Sequence, residues 1–410
     1  MSYFQMLRSA QNDALEPPAV SAAWAFAALA LLLLWQFLTV HYNRSGNWTA
    51  LFLTGRTYEM PPQLVAGTYR FSGAGYDGEM YRYVAHDLLM QHGYARYMDG
   101  PAPRYRRLLV PALAFLLAGG REAWIDAAYI AVIALFVFAG AYWLSRWAVL
   151  MGAHPAWALG FLLVPATLIS MDRMTVDVAL AAFTVAFAVY WRTGAGWKLF
   201  VTLLLACLVR ETALLLVAGV SLFELLHRRL PRALLWASSA LPMFAWYFFL
   251  GRIFHAKTRF GAPVWFANKL GPGLFYHLLR PPRYPLPPAL ETVARFADAL
   301  TLAAILLASI LAILLVLRNR PIAPLTISGL LFAALVFALT ARAYWIDVNG
   351  YARVLSPLLI LVALPAIARE TRHAFPWWLA LVPSIVVDLR LALQFTSQIQ
   401  GVLRGLLRLG

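Results

Sequence analysis

The stretch VSAAWAFAALALLLLWQFLTV, Val20 to Val40, runs 21 residues without a charged side chain. As a helix rising 1.5 Å per residue it is about 32 Å long, enough for a bilayer core of about 30 Å. Comparable apolar runs recur at approximately 127–145, 156–170, 176–191, 198–209, 212–226, 233–250, 297–317, 322–339, 354–367 and 375–389. None alternates polar with apolar as a barrel strand does, so the expected fold is an all-α polytopic transmembrane bundle of about eleven spans.

The composition supports this. The chain of 410 residues is 62% hydrophobic and 13% charged, against about 45–50% and about 25% in soluble domains. The net charge of +16 is almost all arginine, since only Lys198, Lys257 and Lys269 are lysines. The positive charges are scattered between apolar runs rather than gathered in one basic domain, which argues against nucleic acid as a partner. The single cysteine, Cys207, permits no disulfide framework, and no zinc-type Cys/His spacing occurs. The polar residues before Val20 and the length of the first run suggest a retained signal anchor. The sequons at Asn43 and Asn47 are short patterns of little weight.

Between the spans the basic connections fall on one side: Arg146, Arg192 to Lys198, His227 to Arg232, Arg318 to Arg320, and Arg369 to His373. The positive-inside rule makes that side the cytoplasm. The other side is then extracytoplasmic. It receives a first loop over 41–126, the junction MDRMTVD (171–177), the Arg210-Glu211 turn, a Pro/aromatic loop over 251–296 and TARAYWIDVNGYARV (340–354). Leu108 to Gly119 is too short to cross comfortably and is read as a half-buried interfacial helix, as is the C-terminal segment 390–410. If 108–119 crosses instead, the N-terminus lies outside and 41–107 is cytoplasmic.

The chemistry-bearing residues crowd the extracytoplasmic side. In GYDGEMYRYVAHD (75–87), Asp77 and Glu79 either cap a helix starting there or supply a carboxylate base beside the membrane. Asp77 is the better base, because Gly78 leaves room for a substrate to approach the backbone. Asp172 and Asp177 flank Arg173 at a span junction, where capping is again the plainer account. Arg210 and Glu211 interrupt an apolar run, which is costly unless they face water, a polar cavity or a phosphate. Tyr351 and Arg353 lead into a late span. Arg104, Arg106 and Arg107 cluster before Leu108, and guanidinium groups grip phosphate oxygens two at a time. No Walker or Rossmann glycine pattern is present, so an activated donor, if there is one, is expected to be a membrane lipid rather than a nucleotide.

YDGEMYRYVAHD, YRRLLVPALAFLLAGG, MDRMTVDVALAAF, LVRETALLL and GYARVLSPLL, in that order, resemble the bacterial GT-C glycosyltransferase-like membrane proteins. The likeness is to the branch tied to cell-surface glycopolymer formation, and more distantly to protein O-mannosyltransferases and lipid A aminoarabinose transferases. It spans residues 20 to 367. The resemblance implies a multi-pass bacterial inner-membrane enzyme of the cell envelope, inverting, with a polyprenyl-phosphate sugar as donor and a glycan, lipid or protein as extracytoplasmic acceptor. It implies Asp77, with Glu79 as neighbour, as catalytic acid residues. Substrate contacts are expected from Tyr76, Tyr81, Arg104, Arg106, Arg107, Asp172, Asp177, Arg210, Glu211, Tyr351 and Arg353. This chain has Asp-Gly-Glu where the family pattern has adjacent acids. That leaves open which carboxylate is the base and whether a divalent metal takes part. The alternative is a transporter or flippase of lipid-linked glycans, or a scaffold subunit with a decayed site.

Overall fold

The computed structural model describes residues 18–254, 272–318, 322–367 and 377–407. The proposed N-terminal anchor's leading residues, residues 255–271 of the Pro/aromatic loop over 251–296, and the basic 369–373 connection lie outside them. The regular structure of the described residues is all helical, with one isolated bridge between Gly55 and Phe71 and no strand.

Among the described residues four helices are long and apolar enough to cross a membrane: Pro18–Asn43 (α1), Glu122–Leu150 (α5), Pro288–Arg318 (α13) and Trp378–Leu407, the last opening on a short 3-10 turn before α17 (Val382–Leu407). Three bent pairs raise the number to seven if each is one crossing: Pro155–Leu163 with Pro165–Arg173 (α6), Leu230–Ser238 (α10) with Leu241–Ile253 (α11), and Val348–Val354 (α15) with Ser356–Ile367 (α16), bent by 61°, 45° and 56°. Proline explains the first bend, since Pro165 cannot donate to the preceding turn and restarts the chain as a helix N-terminus. Of the other expected spans, 176–191, 198–209, 212–226 and 322–339 fold as Asp177–Arg192 (α7), Gly196–Val209 (α8), Leu214–Leu226 (α9) and Pro324–Ala338 (α14). At 16, 14, 13 and 15 residues, these are roughly 20–24 Å long, short of a full core. Length and composition therefore support four to seven crossings. The C-terminal segment expected as a separate interfacial helix continues the preceding one, as α17.

α7 is the axis of the bundle. Every residue from Asp177 to Val189 is buried, against α5, α8 and α16. α17 closes on α1, where Gly401 and Gly405 present bare backbone to Asn43 and Tyr42 at distances no Cβ would tolerate.

The first loop packs as a small second core rather than lying loose. Met60, Leu64, Met80, Tyr83, Val84, Tyr94, Met98, Tyr105 and Leu250 form it. Helix α2 (Asp77–His86) is wedged between this core and the main one, with Tyr81 and Ala85 on the main side, and all residues from Gly78 to His86 are buried. Arg82 fixes it to α5 through two hydrogen bonds of 2.7 Å to Asp126, joined by His86 at 3.0 Å. α3 (Pro101–Arg106) and α4 (Leu109–Leu117) follow. α4 is nine residues long, about 14 Å and short of a full bilayer core.

Candidate functional site

Four broken or starting helices point their polar ends at one place. Asp77 is the first residue of α2, but it does not cap it. Tyr76 holds the N-cap position, and no side chain bonds the free N–H groups there. The Asp77 carboxylate turns instead to three guanidinium groups. It lies 2.8 Å from Arg104 Nη1, in direct contact with Arg353 Nη2, and 4.0 Å from Arg107 Nη1. Arg353 comes from α15 and also reaches Asp177 at 3.3 Å. Asp177, the first residue of α7, holds Arg210 as well. Arg210 stands where α8 ends, and its neighbour Glu211 lies 3.7 Å from Arg107 Nη2. Arg107 also donates to the Tyr81 hydroxyl, and Arg104 to Asp99 at 2.7 and 3.0 Å. Residues far apart in the chain thus form one continuous ion-pair network.

Two turns explain this convergence. Met174 adopts a left-handed conformation (φ 46°), unusual for a side chain with a Cβ, and reverses the chain between α6 and α7 so that Asp177 starts the new helix facing inward. The Tyr129 hydroxyl bonds the Met174 carbonyl at 3.1 Å and holds the reversal. On the late segment, Asp347 caps α15 through the Asn349 N–H at 3.1 Å and accepts from the Tyr76 hydroxyl at 3.0 Å. The Tyr76 ring lies under Arg353 (5.1 Å) and Arg173 (4.7 Å), a cation–π arrangement.

Electrostatics set the state of Asp77. Burial alone pushes its carboxyl up, but Arg353, Arg104 and Arg107 together hold it well below the usual carboxylate range. The two aspartates of the network differ in access: the Asp77 side chain is 18% exposed, that of Asp177 is 1%. Cationic donors are left over. Among the described residues, the Nε groups of Arg107, Arg210 and Arg353 are buried without a hydrogen-bond partner, as are the Thr212 and Tyr247 hydroxyls. A buried donor left unmade is costly, and four arginines against Asp77, Asp177 and Glu211 leave positive charge in excess away from the rim residue Asp99.

Several expected site residues lie elsewhere. Glu79 does not join Asp77. Fully buried, it accepts from the Gly55 N–H at 3.0 Å and the Tyr83 hydroxyl at 2.5 Å, and so ties the 53–75 chain to α2. Asp172 faces α17, where both its oxygens take the Gln398 amide at 3.0 Å. Tyr351 packs its ring on Trp345, and Arg106 lies over the Tyr247 ring at 5.1 Å. Gly78 is not an approach for substrate: a Cβ there would sit 2.0 Å from the Arg173 carbonyl oxygen and 3.1 Å from that of Phe52. Sequence reading did not place Asp99, Tyr247, Thr212 or Asp347 among the site residues. The last was signalled by its place before Val-Asn-Gly, an N-cap pattern. The others carry no local signal.

No three His, Cys, Asp or Glu side chains come together to hold a metal among the described residues, and the Asp77 carboxylate is already enclosed by cations. These residues do not fit a divalent metal at Asp77. An open cavity of about 550 Å³ lies apart from the network, lined by Leu117, Arg121, Trp124 and the alanines of the α5 start. No family model, curated protein or solved structure matches the chain.

The structural role of Glu79 has a pH signature. Burial raises its carboxyl above the ordinary 4.5, with the Tyr83 and Gly55 bonds opposing. The folded state therefore binds the proton more tightly than the unfolded chain, so this group's stabilisation is full below pH 4.5 and is lost as pH rises through the raised value. Asp77 titrates outside that window, since its carboxyl is lowered from 3.8. Glu79→Gln should remove the fall while leaving the low-pH stability within about 1 kcal/mol. Detergent-solubilised melting curves across pH 4–7 check this; identical slopes in both proteins would exclude it.

Proposed function

We propose that this chain is a GT-C-type membrane glycosyltransferase that moves a sugar from a polyprenyl phosphate to an extracytoplasmic acceptor in cell-surface glycan assembly. What carries the reading is the buried arginine network with spare donors and one solvent-reachable carboxylate, built from the segments that face away from the basic loops. On this reading the acceptor O–H attacks the anomeric carbon, and its proton passes to Asp77. The C–O bond to phosphate breaks, and the phosphate leaves with the electron pair, stabilised by Arg104, Arg107, Arg210 and Arg353. Inversion follows from the single displacement. The basic loops are cytoplasmic, and eleven apolar segments are the upper count of crossings.

A second reading, a flippase of lipid-linked glycans, draws on the broken helices 165–173 and 348–354, since transporters place their sites at such breaks. Membranes given a labelled polyprenyl-phosphate sugar decide between them. The transferase reading expects label in product, reduced about a hundredfold or more by Asp77→Asn. Label that crosses the bilayer with no product, in wild type, favours the flippase. Undiminished transfer by Asp77→Asn removes Asp77 as base.

A further inference from the structure

Both Asp77 oxygens are occupied. Oδ1 meets Arg104 and Oδ2 meets Arg353, with Arg107 beyond. A carboxylate so enclosed cannot take a proton from an acceptor hydroxyl. The same three guanidinium groups are the ones an incoming phosphate needs, and two of them still carry a buried Nε without a partner among the described residues. The second aspartate of the network is sealed at the start of α7, whereas Asp77 sits at the open end on a short helix.

We infer that the site takes a lipid-linked phosphate ester by exchange: Asp77 stands in for the ligand's phosphate in the empty protein, and the arriving phosphate, a diester in the sugar donor and a monoester once the sugar has left, displaces its carboxylate from Arg353, Arg104 and Arg107. The inference rests on the transferase reading for its consequence, which is order. Only after the phosphate has taken the arginines is Asp77 free to face an acceptor and to regain ordinary basicity, so the donor binds first. An enzyme so built does not deprotonate an acceptor without a donor in place. Asp177 stays with Arg210 throughout and supplies the fixed negative charge that keeps the buried arginines together.

Exchange makes Asp77 a competitor of the ligand, so its removal has effects of opposite sign. Purified protein in nanodiscs of zwitterionic lipid, titrated with a polyprenyl phosphate, should bind about tenfold more tightly in Asp77→Asn than in wild type, because the internal competitor is gone. The same variant loses transfer. A parallel titration with inorganic phosphate separates the sources: an equal gain assigns it to the phosphate group, and a gain with the lipid alone assigns a share to the tail. Unchanged or weaker binding in Asp77→Asn overturns exchange. Should that variant not fold, infrared difference spectra of wild type labelled with ¹³C-aspartate carry the test. Phosphate lipid must shift a carboxylate band, and a flat difference spectrum with bound lipid overturns the proposal. Tighter binding by the variant with no transfer in wild type keeps exchange and removes the transferase; transfer with unchanged variant affinity does the reverse.

Discussion

Asp177→Asn should destabilise the protein by about 3–5 kcal/mol, one of the largest effects of any single polar substitution here. Its carboxylate is buried and balances two buried arginines, Arg210 and Arg353, from distant parts of the chain. The amide keeps the shape and one acceptor but no charge. Two guanidinium groups, 7% and 8% exposed, would then share a low-dielectric site with only Asp77 and Glu211 to offset the network's arginines. Removing one partner of a buried pair costs more than the pair contributed, because the remaining charge cannot return to water. Asp99→Asn is the control. Asp99 also pairs with an arginine, but its side chain is 46% exposed, so its loss should cost under about 1 kcal/mol. Thermal unfolding in detergent compares the two. Equal shifts would mean that the network is wetter than its burial implies, and that Asp177 is no keystone.

That contrast shows what the sequence could and could not say. Apolar run length located the helices, because a bilayer sets the length a span must have. It could not show where a charge or proline ends a helix early: α8 stops at Arg210, whose side chain turns to Asp177. The acids and arginines of the first loop, 171–177, 210–211 and 347–353 were visible as polar interruptions in an apolar chain, and the fold does gather Asp77, Tyr76, Tyr81, Arg104, Arg107, Asp177, Arg210, Glu211 and Arg353. Which member of each pair turns inward was not visible. Asp172 and Asp177 are five residues apart, and a left-handed Met174 sends one to α17 and the other to the arginines. Glu79 lies two residues from Asp77, which on a helix is about 200° around the axis, so the two could not share a partner.

The same geometry makes Gly78→Ala the substitution expected to cost function most per atom added. The glycine sits where the start of α2 crosses the end of α6. A methyl group would lie 2.0 Å from the Arg173 carbonyl oxygen. That neighbour is backbone and cannot rotate away, unlike a flexible side-chain tip. It belongs to the last turn of α6, just before the constrained Met174 reversal that sets Asp177. Relief therefore has to come from α2, which would lift by an ångström or more and carry Tyr76 and Asp77 with it. Overpacking of this kind costs about 1–3 kcal/mol. The functional loss is larger, since a displacement near 1 Å can cost about a hundredfold in a positioned site. Phosphate-lipid binding should weaken as well, because the Tyr76 ring that positions Arg353 moves with α2. This separates Gly78→Ala from Asp77→Asn, which strengthens binding while losing transfer. If Gly78→Ala instead melts as wild type and binds the lipid as tightly, the α2–α6 contact is not what sets the site.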